Sequence, residues 1–579
     1  MKQNRNQVTR REMLKRTLAA GAATLSSRFF VIESTGITQN AKANAKHKDV
    51  FEALDGFVKQ YMLEMNSPGM TVVLANRDGV LRAATYGFSD LERRLNVKPE
   101  QLFHIGSISK SFTALALLQL REEGMLDLHK PIVEYLPWLK IETQYAPITP
   151  HHLLTHSAGL PGNVPIFLSD PAAKHKTAFA PGEHFHYCNL GYDILGRLLS
   201  ILDRRPYGES MRKRILEPLD MSATEPAINS DIRDRTARNY MIYHDERPHS
   251  RYGKLAEAPQ LIFEKGSGSI ASTARDMGLY VNMLANRGRT PKGRVLSEKS
   301  FSLFAKTHIK AKDFGPTASY GYGLAIDELD GHTVARHTGG MVSFMSAMQV
   351  DLDEGVGAFA SINAMQGYRP NPVVVYALKV MRAANATQAI PPLPPPNPPG
   401  KIEMAEEYAG VFTSPDGRKL EFIAEGGRLF LIHKGQRLQL ETTTGNGFLA
   451  QHPDLDRFLI SFARNKGEKG KITEVSHGAD WYVNHQYAGP RDFTRSKELD
   501  AFIGHYRNDS PWIGSLRVVQ RKGRLWLDGD LPLDPVTVNT FKLADSPYNP
   551  EWISFLDVVK GKSMHLKLSG EDYWRVEAK

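Results

Sequence analysis

Apolar positions along this chain change their spacing several times. In residues 69–90, GMTVVLANRDGVLRAATYGFSD, two apolar runs flank an Arg-Asp-Gly turn, which predicts a strand hairpin. In residues 111–126, SFTALALLQLREEGML, a nearly unbroken apolar run predicts a buried helix ending near Gly124. Residues 272–288, STARDMGLYVNMLANRG, predict another helix, with Thr273 as N-cap and Asp276 at the capping-box position. ARHTGGMVSFMSAMQV and GAFASINA read as late strands around a glycine turn. Strands at both ends with helices between predict an α+β domain over residues 46–390.

Residues 391–400, PPLPPPNPPG, hold seven prolines in ten positions and predict a semi-rigid polyproline II linker. Beyond it the pattern shortens to alternating runs broken by turn residues, as in KLEFIAEGGRLFLIHKGQRLQL. YAGVF at 408–412 returns as FIGHY at 502–506, and GRLFL at 427–431 returns as GRLWL at 523–527. Two similar all-β units follow, at 401–495 and 496–579. They are expected to be small lipocalin-like barrels with an accessory role, capping a cleft at a domain interface.

The net charge of +10 raises the prospect of a nucleic-acid or membrane partner. Residues 1–45 carry +6 of it, from eight Lys/Arg and two Glu, so the rest of the chain holds only +4. No basic block interleaves with aromatic residues, and nucleic acid is not expected as a partner. Arg10 and Arg11 precede the weakly apolar TLAAGAATLSS, and small-x-small sites follow at 41–45. That order is the pattern of a twin-arginine export signal, giving a periplasmic or extracellular protein. No run reaches the ~18 apolar residues of a membrane span. Cys188 is the one cysteine, so neither an internal disulfide nor a multi-cysteine zinc site can form.

The chemistry starts at GSISKSFTALALL. Ser107 and Lys110 are three residues apart, on one face of a helix start. A serine hydroxyl needs a base to become a nucleophile. Burial among Phe112, Leu115, Leu117 and Leu118 would lower the lysine's pKa and make it that base.

The words around this pair resemble the penicillin-recognising serine hydrolases, in the branch of class C β-lactamases, D-aminopeptidases and esterases. Residues 103–137 begin the resemblance. ITPHHLLTHSAGLP, PGEHFHYCNLGYDILG, GSGSIASTARDM and YGYGLAI with RHTGG continue it in order, across about residues 50–385. The resemblance implies a β-lactamase/transpeptidase-like fold, with an antiparallel sheet and helices. It implies Ser107 as acylated nucleophile and Lys110 and Tyr187 as shared general base. Asn189 would hydrogen-bond substrate or Lys110, and the N–H groups of Ser107 and Gly340 would form the oxyanion hole. His337, Thr338 and Gly339 would line the substrate strand. Many relatives have Lys where this chain has His337, and that lysine receives a substrate carboxylate. A histidine is mostly neutral at pH 7, which turns the reading from β-lactamase or carboxypeptidase toward D-aminopeptidase.

Rival chemistry is weaker. Cys188 lies between two matched positions on an extended segment and should point away from them. His152 with His156, and His184 with His186, lack the further ligands of a metal site. The expected protein is therefore a cofactor-free, metal-free exported serine hydrolase. Its expected substrates are small peptides or amides with D-residues, such as peptidoglycan fragments, with esters next and β-lactams or DD-peptides as alternatives. From a different class, the alternative is a non-catalytic penicillin-binding sensor, and the intact trio of Ser107, Lys110 and Tyr187 argues against it. The sequence sets no oligomeric state.

Overall fold

The computed structural model describes residues 34–37 and 47–576, except 168–173, 245, 444–446, 469 and 511–513. Most of the predicted export leader lies outside the described residues. Among those described, no helix is long and apolar enough to cross a membrane.

The first domain is built on a ten-stranded antiparallel sheet drawn from both ends of the domain. Helix α1 (Lys48–Met65) leads into β1 (Gly69–Asn76) and β2 (Gly79–Asp90), the predicted hairpin turning at Arg77-Asp78. Helices α2 (Ser109–Glu122), α3 (Asn189–Asp203) and α4 (Ala274–Ala285) occupy the middle of the sequence. Strands β3 (Ala325–Leu329), β4 (His332–Met341), β5 (Phe344–Asp351) and β6 (Val356–Ile362) then complete the sheet, before α5 (Asn371–Asn385). The central order is β2-β1-β6-β5-β4-β3, with the strand Ser34–Ile37 on the β2 edge. Every residue of β5 and β6 is buried, the pattern of strands covered on both faces.

Two predicted details differ. ARHTGGMVSFMSAMQV is two strands, not one: the chain turns at Val342-Ser343, and Gly339 and Gly340 lie inside β4. The expected glycine turn before GAFASINA is found at Gly355, with φ 69°. At α4, Thr273 caps as expected by accepting from the Asp276 N–H. The Asp276 carboxylate, however, accepts from Ala223 N–H and Thr224 Oγ1, so it ties the helix to a neighbouring loop.

The two repeats are closed eight-stranded antiparallel barrels, from Gly410–Thr413 to Asp480–Val483 and from Gly504–Arg507 to Glu571–Val576. The proline-rich segment does not stand off as a spacer. Its carbonyls at Pro391 and Pro394 accept from Tyr376 and Gln60, and Pro399 accepts from Thr442 of the first barrel. Prolines lack N–H donors, so a carbonyl-only strap is what such a segment can offer. Arg247 pairs with Asp456 of the first barrel, and Arg521 of the second donates to Gly478 O of the first at 2.7 Å.

Candidate active site

Ser107 lies on a 3-10 turn, Gly106–Ile108, that runs directly into α2. Gly106 has φ 52°, and a Cβ there would stand 2.5 Å from Gly340 O. At Gly339 a Cβ would stand 1.9 Å from Ile105 O. Glycine at both positions lets β4 press its backbone against the turn that carries Ser107. The chain thereby brings the backbone of Gly340 against Gly106, the residue before the serine.

Ser107 is half-buried, and Lys110 behind it is wholly buried. Lys110 Nζ stands 3.0 Å from Ser107 Oγ, 2.7 Å from Asn189 Oδ1 and 2.7 Å from Ser267 O. It also lies 4.9 Å from the centre of the Tyr187 ring and 5.6 Å from that of Tyr192. Burial pulls the ammonium down to about 7, with Asp193 opposing that fall. Neutral lysine has two N–H donors and one lone pair. Asn189 Oδ1 and Ser267 O can accept only, so they take both donors and leave the lone pair toward Ser107 Oγ.

Burial raises the Tyr187 hydroxyl above the ordinary tyrosine range, and the Ser107 side chain opposes that rise. The Tyr187 segment is held by His156. The His186 N–H donates to His156 O at 2.8 Å, the Cys188 N–H donates to His156 Nδ1 at 3.0 Å, and the imidazole lies 4.3 Å from the Tyr187 ring. Burial drives His156 well below its ordinary pKa. It is therefore a neutral brace for the tyrosine. His152 is engaged separately, accepting from Thr149 N–H through Nδ1, so the two histidines do not converge. His184 stacks on Tyr548 and His186 faces Glu551. Cys188 points inward and caps α3, its Sγ accepting from Gly191 N–H, and burial lifts the thiol to about 12.

Asn189 opens α3, its Oδ1 toward Lys110 and its Nδ2 donating to Asn163 Oδ1 at 2.7 Å. His337 is buried, 3.0 Å from Tyr320 OH through Nε2 and 2.6 Å from Thr338 O through Nδ1. Burial, with the Lys110 charge next, lowers its pKa to about 3. It is neutral and packs against Phe314, Tyr320 and the Tyr187 ring. Thr338 faces the other way and accepts from Arg369 Nη1 at 2.7 Å. Arg369, Asn163 and the Ser267 carbonyl were not singled out from the sequence, and His156 was weighed there only as a metal ligand. Arg369 sits in GYRPNP, where nothing in the local pattern marks it.

Residues 54–379 match the Beta-lactamase family. This chain belongs to the Beta-lactamase family. Protein flp of Staphylococcus aureus (strain MW2) is 24% identical over 345 residues, 56% of this chain and 65% of flp. The chain thus spans less than two thirds of that relative's length. Penicillin-binding protein 4* of Bacillus subtilis (strain 168) is 23% identical over 402 residues, 64% of this chain and 85% of that protein. An octameric penicillin-binding protein homologue from Pyrococcus abyssi shares the fold, with a TM-score of 0.54 and 23% identity over 75% of this chain and all of its own.

Proposed function

We propose that this Beta-lactamase family hydrolase cleaves amide or peptide bonds through an acyl-enzyme on Ser107, with D-aminopeptidase-type substrates favoured. The observation that carries the reading is the wholly buried Lys110, whose Nζ stands 3.0 Å from Ser107 Oγ with the carbonyl oxygens of Asn189 and Ser267 as its other partners. Lys110 Nζ takes the Ser107 proton as Oγ bonds to the acyl carbon. The oxyanion lies between the N–H groups of Ser107 and Gly340. The proton passes through Tyr187 to the leaving nitrogen, the C–N bond breaks, and water then releases the acyl group by the reverse proton route. The leader carrying Arg10 and Arg11 supports export, and a reporter fused to residues 1–45 tests it by fractionation.

The neutral His337 and the two appended barrels support the D-aminopeptidase reading. The Arg369 guanidinium at Thr338 Oγ1 favours a second reading, in which a substrate carboxylate is received there. That would admit DD-peptides and β-lactams. A turnover panel separates them: D- and L-amino-acid p-nitroanilides, a D-Ala-D-Ala peptide, nitrocefin and short-chain p-nitrophenyl esters. Fastest turnover of D-anilides, lost in Ser107→Ala, supports the first reading. Preference for nitrocefin or the acidic peptide supports the second. Turnover that persists in Ser107→Ala removes both.

A further inference from the structure

Glu551 reaches the Tyr187 segment from the second barrel, more than 360 residues along the chain. It precedes the strand Trp552–Val559, and its Oε1 accepts from Gly162 N–H at 2.5 Å and lies 3.3 Å from His186 Nε2. Asn549 Oδ1 accepts from the Glu551 N–H at 2.8 Å, and Tyr548 stacks on His184 at 3.6 Å. One loop of the barrel therefore grips both the Gly162 turn and the strip that carries Tyr187. Burial opposes ionisation of Glu551, but His186, Ser569 and the Gly162 N–H outweigh it and hold the carboxyl below its ordinary range.

The contact continues inward. Gly162 O accepts from Asn189 N–H at 2.8 Å and Leu190 N–H at 3.1 Å, the first donors of α3. The next residue, Asn163, accepts from Asn189 Nδ2 at 2.7 Å, which leaves Asn189 Oδ1 facing Lys110 Nζ at 2.7 Å. Lys110 in turn is 3.0 Å from Ser107 Oγ. A Cβ on Gly162 would stand 3.0 Å from Tyr187 O and 3.1 Å from Glu551 Oε1, so a bare peptide is what lets both close on this turn.

We propose that Glu551 is a positioning residue for acylation: through Gly162 and Asn163 the second barrel fixes the Asn189 amide that orients Lys110. The proposal rests on the reading of Ser107 as the acylated nucleophile. It makes the barrel a working part of the catalytic domain, beyond any effect on substrate access. A contact that merely joined two domains would alter stability and leave the acylation rate of the folded protein unchanged.

The test uses full-length wild type, Glu551→Ala, Glu551→Gln, Asn163→Ala and the double variant Glu551→Ala/Asn163→Ala. The readout is the second-order rate of Ser107 labelling by a fluorophosphonate from pH 5 to 9, with circular dichroism to confirm folding. Glu551→Ala and Asn163→Ala are each expected to label about ten-fold more slowly at pH 8, the scale of a small misplacement of a catalytic group. Losing a well-placed carbonyl acceptor disfavours the ammonium, so the acid limb of the profile should move down by about half a pH unit. The double variant should be no slower than either single variant, because both cut one relay. Glu551→Gln keeps an oxygen for the Gly162 N–H and should stay within about three-fold of wild type. Glu551→Ala labelling at the wild-type rate, or losses that multiply in the double variant, would overturn the proposal. Should Glu551→Ala not fold, wild-type labelling in Asn163→Ala overturns it alone. Wild-type protein that takes no label at Ser107 would refute the hydrolase reading itself, a different outcome from either.

Discussion

Replacing Lys110 with Met removes the base and keeps a side chain of similar length. The structure sets two magnitudes for this change. Burial moves Lys110 from 10.5 to about 7. Each pKa unit corresponds to about 1.4 kcal/mol, so below pH 7 the buried lysine costs the folded state about 5 kcal/mol. The unfolded chain holds this proton more tightly, so wild type gains stability as pH rises from 7 toward 10.5. At pH 9 the cost has fallen to about 2 kcal/mol, a gain of about 3 kcal/mol relative to pH 6. Methionine carries no such charge. It also leaves Asn189 Oδ1 and Ser267 O without their donor. That loss is independent of pH and costs about 1–3 kcal/mol for each. Urea unfolding followed by far-UV circular dichroism at pH 6 and pH 9 reads the difference between the two proteins. Relative to wild type, Lys110→Met should lose about 3 kcal/mol between the two pH values. Its acylation rate should fall by about 10²–10⁴. Parallel pH dependence in the two proteins would mean that Lys110 keeps an ordinary pKa, and its role as base would fail.

Three further outcomes are expected. Arg369→Gln should lower kcat/KM about ten-fold or more for a dipeptide with a free carboxylate and leave its C-terminal amide unchanged, since a charge-assisted bond is worth about 1.5–3 kcal/mol; equal effects on both would remove Arg369 from substrate recognition. Gly339→Ala should lower the melting temperature and abolish Ser107 labelling, because its Cβ would meet Ile105 O at 1.9 Å and push β4 off the serine turn; normal labelling would contradict the tight approach. Cys188, a buried cap with its thiol at about 12, should resist iodoacetamide in the native protein and react after unfolding, as mass spectrometry of the Cys188 peptide would show.

Much of this architecture is legible in local patterns. The Arg-Asp-Gly hairpin, the apolar helix after Ser107, the Thr273 cap and the two barrel repeats each follow from near-neighbour rules, and each is found. The nucleophile and its base are three residues apart, so their meeting is also local. What was not legible depends on contacts between distant segments. Gly339 and Gly340 look like turn residues, yet they serve a close approach to Ile105 and Gly106 from more than 230 positions away. Arg369 reaches Thr338 only because β4 and the start of α5 converge. Asp276 occupies a capping-box position, but tertiary packing gives its carboxylate to Ala223 and Thr224. The proline-rich stretch has the composition of a spacer, and its carbonyls are claimed by Gln60, Tyr376 and Thr442 instead. Glu551 has no local signal at all, because its partner Gly162 belongs to another domain.

The central claim is that Lys110, held neutral by burial, activates Ser107 as a nucleophile. The most direct measurement is mass spectrometry of the full-length protein after fluorophosphonate treatment, with the labelling rate followed from pH 5 to 9. The account predicts one adduct, located on Ser107 and absent from Ser107→Ala, with a rate that rises through an apparent pKa near 7. An adduct on another residue, or a Ser107 labelling rate that ignores pH across that window, would contradict it.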